Sequence, residues 1–317
     1  MAPPEFADVL AARERIAPYI HRTPVLVSSE LNARADAQLF FKCENFQKAG
    51  AFKARGAHNA VFALTPAAAA AGVVTHSSGN HGAALALAAR RRGIPAYIVV
   101  PENAPPGKIE AIRRYGGEIT LCAPTLAARE AAAAAIAAAT SARLVHPYND
   151  PWVIAGQGTA ALEFLEDRPD LAAIMTPLGG GGLLSGTAIA AKGRSPSVRV
   201  FGAEPAGADD GARSLRAGRL LPQTDPRTMA DGLRSSLGDI TFAVIQRDVE
   251  AILTVSEEAI AAAMRLVWEI LKIVIEPSAA VVVAAALARP PALAGQPVGL
   301  ILSGGNADLD RLPWRLA

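Results

Sequence analysis

Short aliphatic and β-branched runs alternate with alanine-rich stretches of helical spacing along most of this chain. The runs "QLFFKCE", "AGVVTH", "IPAYIVVP", "EITLCA", "AAIMTPL", "VRVFGAEP" and "VGLILSGG" predict strands. Between them "GAALALAARRRG", "KIEAIRRYGG", "TLAAREAAAAAIAAAT" and "SEEAIAAAMRLVWEILK" predict helices, several stopped by glycine. Strands alternating with helices in this way predict an α/β protein with mostly parallel sheets covered by helices. Residues 72–149 hold several such units with short connections and are expected to form a smaller, mobile domain. The segments 1–71 and 150–317 would then close into a larger, discontinuous one. The stretch 205–240, with its Pro, Gly, Asp and Arg residues, breaks the rhythm and reads as an irregular surface excursion.

Composition narrows the class. At 317 residues the chain suits one elaborate domain or two lobes, and 51% hydrophobic against 19% charged residues excludes disorder. A formal net charge of +2 gives no electrostatic reason to expect nucleic acid or an anionic membrane, so the expected partners are small molecules. Cys43 and Cys122 stand apart, with no second thiol or histidine at zinc spacing, and read as reduced residues suited to the cytoplasm. The N-terminus lacks the order of a signal peptide, and the longest apolar run, Ala279 to Ala288, is too short to span a bilayer. A soluble protein is expected.

Three glycine-bearing strips follow strands, where α/β sheets bind ligands. In "SSGNHG", residues 77–82, amides at a helix N-terminus beside the hydroxyls of Ser77 and Ser78 suit a carboxylate or phosphate. Asn80 and His81 add side chains that hydrogen-bond without fixed charge. In "PLGGGGLLSG", residues 177–186, Gly179, Gly180, Gly181 and Gly182 remove every Cβ that would keep a bulky anion from the backbone. The strip fails G-x-G-x-x-G, because Leu184 or Ser185 falls where the last glycine belongs, and it lacks the Lys-Ser or Lys-Thr of a P-loop. A monophosphate held by amides fits it. In "LILSGGNAD", residues 300–308, Ser303 offers an uncharged hydroxyl at a strand's carboxyl end.

A fourth stretch, "ENFQKAGAFKARGA", places Lys53 at the mouth of a predicted helix. The positive end of the helix dipole disfavours a cation there and biases the amine towards its neutral form. A lysine so poised, an amide cradle, a helix-mouth anion site and an uncharged hydrogen-bonding tip together suggest pyridoxal 5'-phosphate.

With these strips in place the sequence resembles the fold-type II pyridoxal phosphate enzymes, whose fold is that of the tryptophan synthase β chain. It is similar in particular to the branch of serine racemase and the short threonine and serine dehydratases. The matching strips are "QKAGAFKARGA", "THSSGNHG", "HPYNDPWVIAGQGT", "PLGGGGLLSG", "GAEPAGADD", "ADGLRSS", "IEPSAA" and "LSGGNAD", in family order from about residue 20 to the end. The resemblance implies that Lys53 is the Schiff-base lysine, with Phe52 packing on the cofactor ring. It gives Asn80 the ring's 3-hydroxyl, Gly179 to Gly182 with Leu183 the phosphate, and Ser303 the pyridine nitrogen. Ser77, Ser78, Asn80 and His81 would surround the substrate carboxylate, and Ser78 matches the acid/base serine opposite the lysine. Arg129 matches a position that reaches the carboxylate on closure in racemase-like members. Tyr148 stands where members vary between asparagine and aromatic residues.

"EPAGADD" matches the divalent-cation site of this branch, with Glu204, the Ala208 carbonyl and Asp210 as ligands. Two carboxylates and a carbonyl are hard oxygen donors suited to Mg²⁺ or Ca²⁺, and Mn²⁺ is an alternative. The implied activity is dehydration and deamination of a β-hydroxy amino acid, of the threonine/serine or threo-3-hydroxyaspartate type, to a 2-oxo acid and ammonia. The alternatives are a serine or aspartate-type racemase using Lys53 and Ser78 as opposed acid/base groups, a phenylserine or hydroxyectoine-pathway dehydratase, and a catalytically silent binder on the same fold. A homodimer and a catabolic role are expected.

Overall fold

The structure, a computed structural model, describes residues 1–315. Among them ten strands form: β1 (Val25–Val27), β2 (Gln38–Cys43), β3 (Val73–Thr75), β4 (Ala96–Pro101), β5 (Glu118–Cys122), β6 (Arg143–Leu144), β7 (Ala173–Pro177), β8 (Arg199–Pro205), β9 (Ala251–Val255) and β10 (Pro297–Leu302). They build two sheets, a six-stranded one in the order β1-β2-β10-β7-β8-β9 and a four-stranded one in the order β5-β4-β3-β6. Only the edge pair β1–β2 is antiparallel. All other pairings are parallel.

Burial of both faces explains why the central strands are predominantly apolar at successive positions. Leu39, Phe41, Leu300 and Leu302 enter one core with Val281 and Val283 of the helix Pro277–Leu287. Phe40, Ile174, Val200 and Ile301 enter the opposite core with Leu162 and Phe164 of the helix Pro151–Asp167 and Leu184 of the helix Gly182–Arg194. Each strand therefore feeds both faces, as a sheet covered on both sides requires. The alanine-rich run near the C-terminus falls in a helix buried on every side, with Ala279 to Val283 fully enclosed.

In the smaller lobe the helix Asn80–Arg92 packs Ala84, Leu85 and Ala88 on β3 and β4. Ala57, Ala60 and Val61 of the helix Lys53–Phe62 enter that same core. The helix that begins at Lys53 thus contributes side chains to this core as well.

The stretch 205–240 departs from the expected surface excursion. It contains the helix Asp210–Ala217, and Ala230, Leu233 and Leu237 are buried. Its apolar residues stand singly among turn residues, so no period announces the burial that tertiary packing imposes. Among the described residues no helix is long and apolar enough to cross a membrane.

Candidate active site

The site is assembled where strand ends meet helix starts. Beyond β10, the Ser303 carbonyl accepts the Phe52 N–H at 2.9 Å, and Ala51 bridges Gly304. The end of the strand therefore fixes the first turn of the helix Lys53–Phe62. Lys53 Nζ donates to the Pro147 carbonyl at 2.6 Å and lies 5.1 Å from the centre of the Phe52 ring. Burial lowers the Lys53 amine from the usual lysine range to about 8. Two residues on, Arg55 is fully buried between Glu44 and Glu163, which anchors the same helix from behind.

The glycine strip lies between β7 and the helix Gly182–Arg194. Gly181 has φ +90°, in the left-handed region that favours glycine. The amides of Gly179 to Leu183 donate to no protein acceptor among the described residues, although Gly180 to Leu183 are buried. Buried amides are nearly always paired, so these donors at the positive end of a helix call for an anionic partner. A phosphate fits them. Tyr148 packs over the strip, and its neighbour Pro147 takes the hydrogen bond from Lys53. The amine and the glycine strip therefore touch consecutive residues, Pro147 and Tyr148.

The loop "SSGNHG" follows β3 and leads into the helix Asn80–Arg92. Asn80 Nδ2 donates to both oxygens of Glu276, at 2.9 and 3.1 Å, and its Oδ1 accepts from Asn306 at 2.8 Å. The amide is thus oriented by partners on both its nitrogen and its oxygen. Burial raises the Glu276 carboxyl to about 7. Ser77 and Ser78 are half-buried beside it. His81 is buried, neither ring nitrogen has a partner among the described residues, and burial holds it neutral. Arg129 lies close enough to His76 and Tyr148 for its charge to act on both.

Two residues in this cleft escaped the sequence reading. His76 and His146 follow the neighbouring strands β3 and β6, and their rings meet edge to face with centroids 5.4 Å apart. The available signal was a histidine directly after the β3 pattern, whereas β6, only two residues long, gave no pattern to mark His146.

Glu204, near the carboxyl end of β8, and Asp210, whose charge reaches Tyr148, are both buried. Burial raises Glu204 to about 8 and Asp210 to about 6, and the charge of Asp210 adds to the cost of ionising Glu204. Ala208, whose carbonyl is the expected third ligand, is buried beside them in sequence. Two destabilised carboxylates fit a divalent cation. Among the described residues no cluster of three or more His, Cys, Asp or Glu side chains is shaped for a metal, so such a site rests on two carboxylates, a carbonyl and water.

A parallel-sheet protein with a lysine of lowered basicity and a row of helix-mouth amides that meet no protein acceptor among the described residues has the makings of a pyridoxal phosphate enzyme. The chain belongs to that family: the family model described as pyridoxal-phosphate dependent enzyme matches residues 16–304. It is 52% identical over 311 residues to a β-hydroxyaspartate dehydratase of Paracoccus denitrificans, covering 98% of this chain and 99% of the relative. It is 50% identical to a serine racemase of Oryza sativa subsp. japonica, with 96% and 92% covered. The solved structure of maize serine racemase superposes with a TM-score of 0.96 at 47% identity, over 99% of this chain and 96% of that one. The two-lobed α/β fold of the type II enzymes is thereby established.

Proposed function

We propose that this chain is a pyridoxal phosphate-dependent lyase that dehydrates and deaminates a β-hydroxy amino acid of the threo-3-hydroxyaspartate type, giving a 2-oxo acid and ammonia. The observations that support this reading are Lys53 hydrogen-bonded to the Pro147 carbonyl and the amides 179–183, without an acceptor among the described residues, against the adjacent Tyr148, in a chain 52% identical to a β-hydroxyaspartate dehydratase over nearly its whole length. In this reading the cofactor supplies the electron sink that makes the substrate Cα–H acidic. Lys53 holds the cofactor, and its amine, once released, takes the Cα proton. Phe52 packs the ring, Asn80 orients its 3-oxygen, Ser303 meets its nitrogen with an uncharged hydroxyl, and residues 179–183 grip the phosphate. Ser77, Ser78, Asn80 and His81 hold the substrate carboxylate, and Arg129 approaches when the cleft closes.

Glu204, the Ala208 carbonyl and Asp210 hold Mg²⁺, which supports the helix Asp210–Ala217. The smaller domain, 72–149, moves against the larger one, 1–71 with 150–317. The same reading makes the enzyme a cytoplasmic homodimer, in keeping with its two unpaired cysteines.

Assaying a panel of β-hydroxy amino acids for 2-oxo acid, with and without Mg²⁺, tests the proposal. Turnover of hydroxyaspartate is expected, stimulated by Mg²⁺ and abolished in Lys53→Ala. Turnover of serine, threonine and hydroxyaspartate persisting in that variant would refute it.

Racemisation is the second reading, supported by Ser78 and by the 50% identity to a serine racemase. A proton returned from Ser78, on the face opposite Lys53, inverts Cα. Ser78→Ala should then suppress racemisation far more than elimination from the L-form, as the yields of enantiomer and 2-oxo acid from L-serine would tell.

A further inference from the structure

We propose that His146 binds the departing β-hydroxyl of the substrate through an uncharged Nε2–H donor, a role that rests on the dehydratase reading above. The placement follows from the smaller sheet. β3 and β6 are parallel neighbours in the register Val73↔Arg143 and Val74↔Leu144, and the Val145 N–H continues the ladder to the Val74 carbonyl at 2.9 Å. His76 and His146 therefore leave adjacent strands side by side at their carboxyl ends, where such sheets bind ligands.

The hydrogen bonds of the ring fix its tautomer. His146 Nδ1 accepts from the Asn149 N–H at 2.9 Å and from the Tyr148 N–H at 3.4 Å. A nitrogen that accepts keeps its lone pair, so the proton of the neutral ring sits on Nε2. The hydrogen bonds of this ring to described residues are made at Nδ1, which leaves Nε2 available. The rings of His76 and Tyr148 pack against the imidazole edge to face, at 5.4 and 4.5 Å between centroids, and hold its orientation. Lys53 donates to the carbonyl of the very next residue, Pro147, and its charge reaches the imidazole, so the donor and the proton-carrying amine are near neighbours. Burial, with the nearby charges of His76 and Lys53, keeps the ring neutral down to about pH 4.

The elimination needs such a donor. As the Cα–H electron pair becomes the Cα=Cβ π bond, the Cβ–O bond breaks and oxygen leaves with both of its electrons. Lys53, carrying the proton taken from Cα, supplies the proton that completes water. The imidazole keeps its own proton throughout and stabilises the negative charge developing on oxygen.

The test compares two leaving groups in the holoenzyme. Chloride departs from β-chloroalanine without needing a hydrogen-bond donor, whereas hydroxide departs poorly without one. His146→Leu should lose about 10²-fold in kcat on the β-hydroxy amino acid. It should retain β-chloroalanine turnover and the absorbance of bound cofactor. His146→Gln, which keeps a neutral donor at similar reach, should recover part of the loss. In cofactor-free protein labelled with ¹⁵N-histidine, a ring protonated at Nε2 and bare at Nδ1 should vanish in either variant. Parallel losses on both substrates, a Gln variant no better than Leu, or an Nδ1–H tautomer would overturn the assignment. Should His146→Leu not fold, the hydroxy-to-chloro ratio of the Gln variant and the wild-type tautomer decide. Wild-type enzyme that processes β-chloroalanine but no β-hydroxy amino acid would sink the dehydratase reading, and this inference with it.

Discussion

The ring of Tyr148 occupies the space that a side chain on Gly180 would need: a Cβ built there lies 2.3 Å from two of the ring atoms. The close approach lets one tyrosine cover the row of amides while its neighbour Pro147 meets Lys53. Gly180→Ala must push the ring away or distort the strip. It is expected to weaken cofactor binding at least tenfold, about 1.4 kcal/mol, as titration of cofactor-free protein by absorbance would show. Unchanged affinity would mean that the phosphate does not sit on these amides.

The carboxyls of Glu204 and Asp210 give the fold a pH dependence that a cation should reverse. Both are raised by burial, to about 8 and about 6, above the ordinary carboxylate range. A raised acid favours the fold while protonated, so the stability it contributes is complete below about pH 4 and is lost as pH climbs through the folded values. Metal-free protein should therefore melt lower at pH 8 than at pH 5. Mg²⁺ competes with protons for the same oxygens, so its effect on Tm should grow over that interval. Glu204→Gln should remove most of the Mg²⁺ response. A response that is equal at both pH values in the native protein would place the cation elsewhere.

The fold and much of the site were legible because their signals are local. Apolar runs as dense as "VGLILS" mark β10, and four consecutive glycines mark a close backbone approach whatever surrounds them. β1, β6 and β9 were not legible: they are short or partly exposed, and pairing in the sheet rather than sequence pattern defines them. His146 was hidden for a related reason, since its role depends on which backbone amides turn back towards its ring. The burial of Glu276 behind Asn80 joins residues 196 positions apart, and no spacing rule reports that.

Arg55 supplies a stability prediction. Its guanidinium is fully buried and donates to Glu44 at 2.7 and 2.8 Å and to Glu163 at 2.8 and 2.8 Å, while Lys42 meets Glu163 from another side at 2.9 Å. Truncation strands one buried carboxylate without a cationic partner and leaves the second with Lys42 alone. Arg55→Met should cost roughly 3–5 kcal/mol, read from urea unfolding. Adding Glu44→Gln should recover part of it, because the stranded charge is then gone. Additive losses in the double variant would show that Arg55 and Glu44 do not depend on each other.

Lys53 answers to pH in a way that separates its surroundings from those of a surface lysine. The amine reacts with an aldehyde only as the free base, and burial brings it from the usual lysine range to about 8. A depressed amine costs the fold stability as pH falls from the unfolded value towards 8, because only the unfolded chain then gains the proton. Cofactor capture by the stripped protein should accordingly speed up as pH rises and reach half its limiting rate near pH 8, well below the value for an exposed lysine. The growth of yellow absorbance after mixing with pyridoxal 5'-phosphate, recorded from pH 6 to 10, measures it. The charge of Lys53 helps keep His81 and His146 neutral over this range, so neither ring moves the midpoint. A midpoint near 10 would mean that the amine is solvated, and the case for a poised nucleophile at the mouth of this helix would fail.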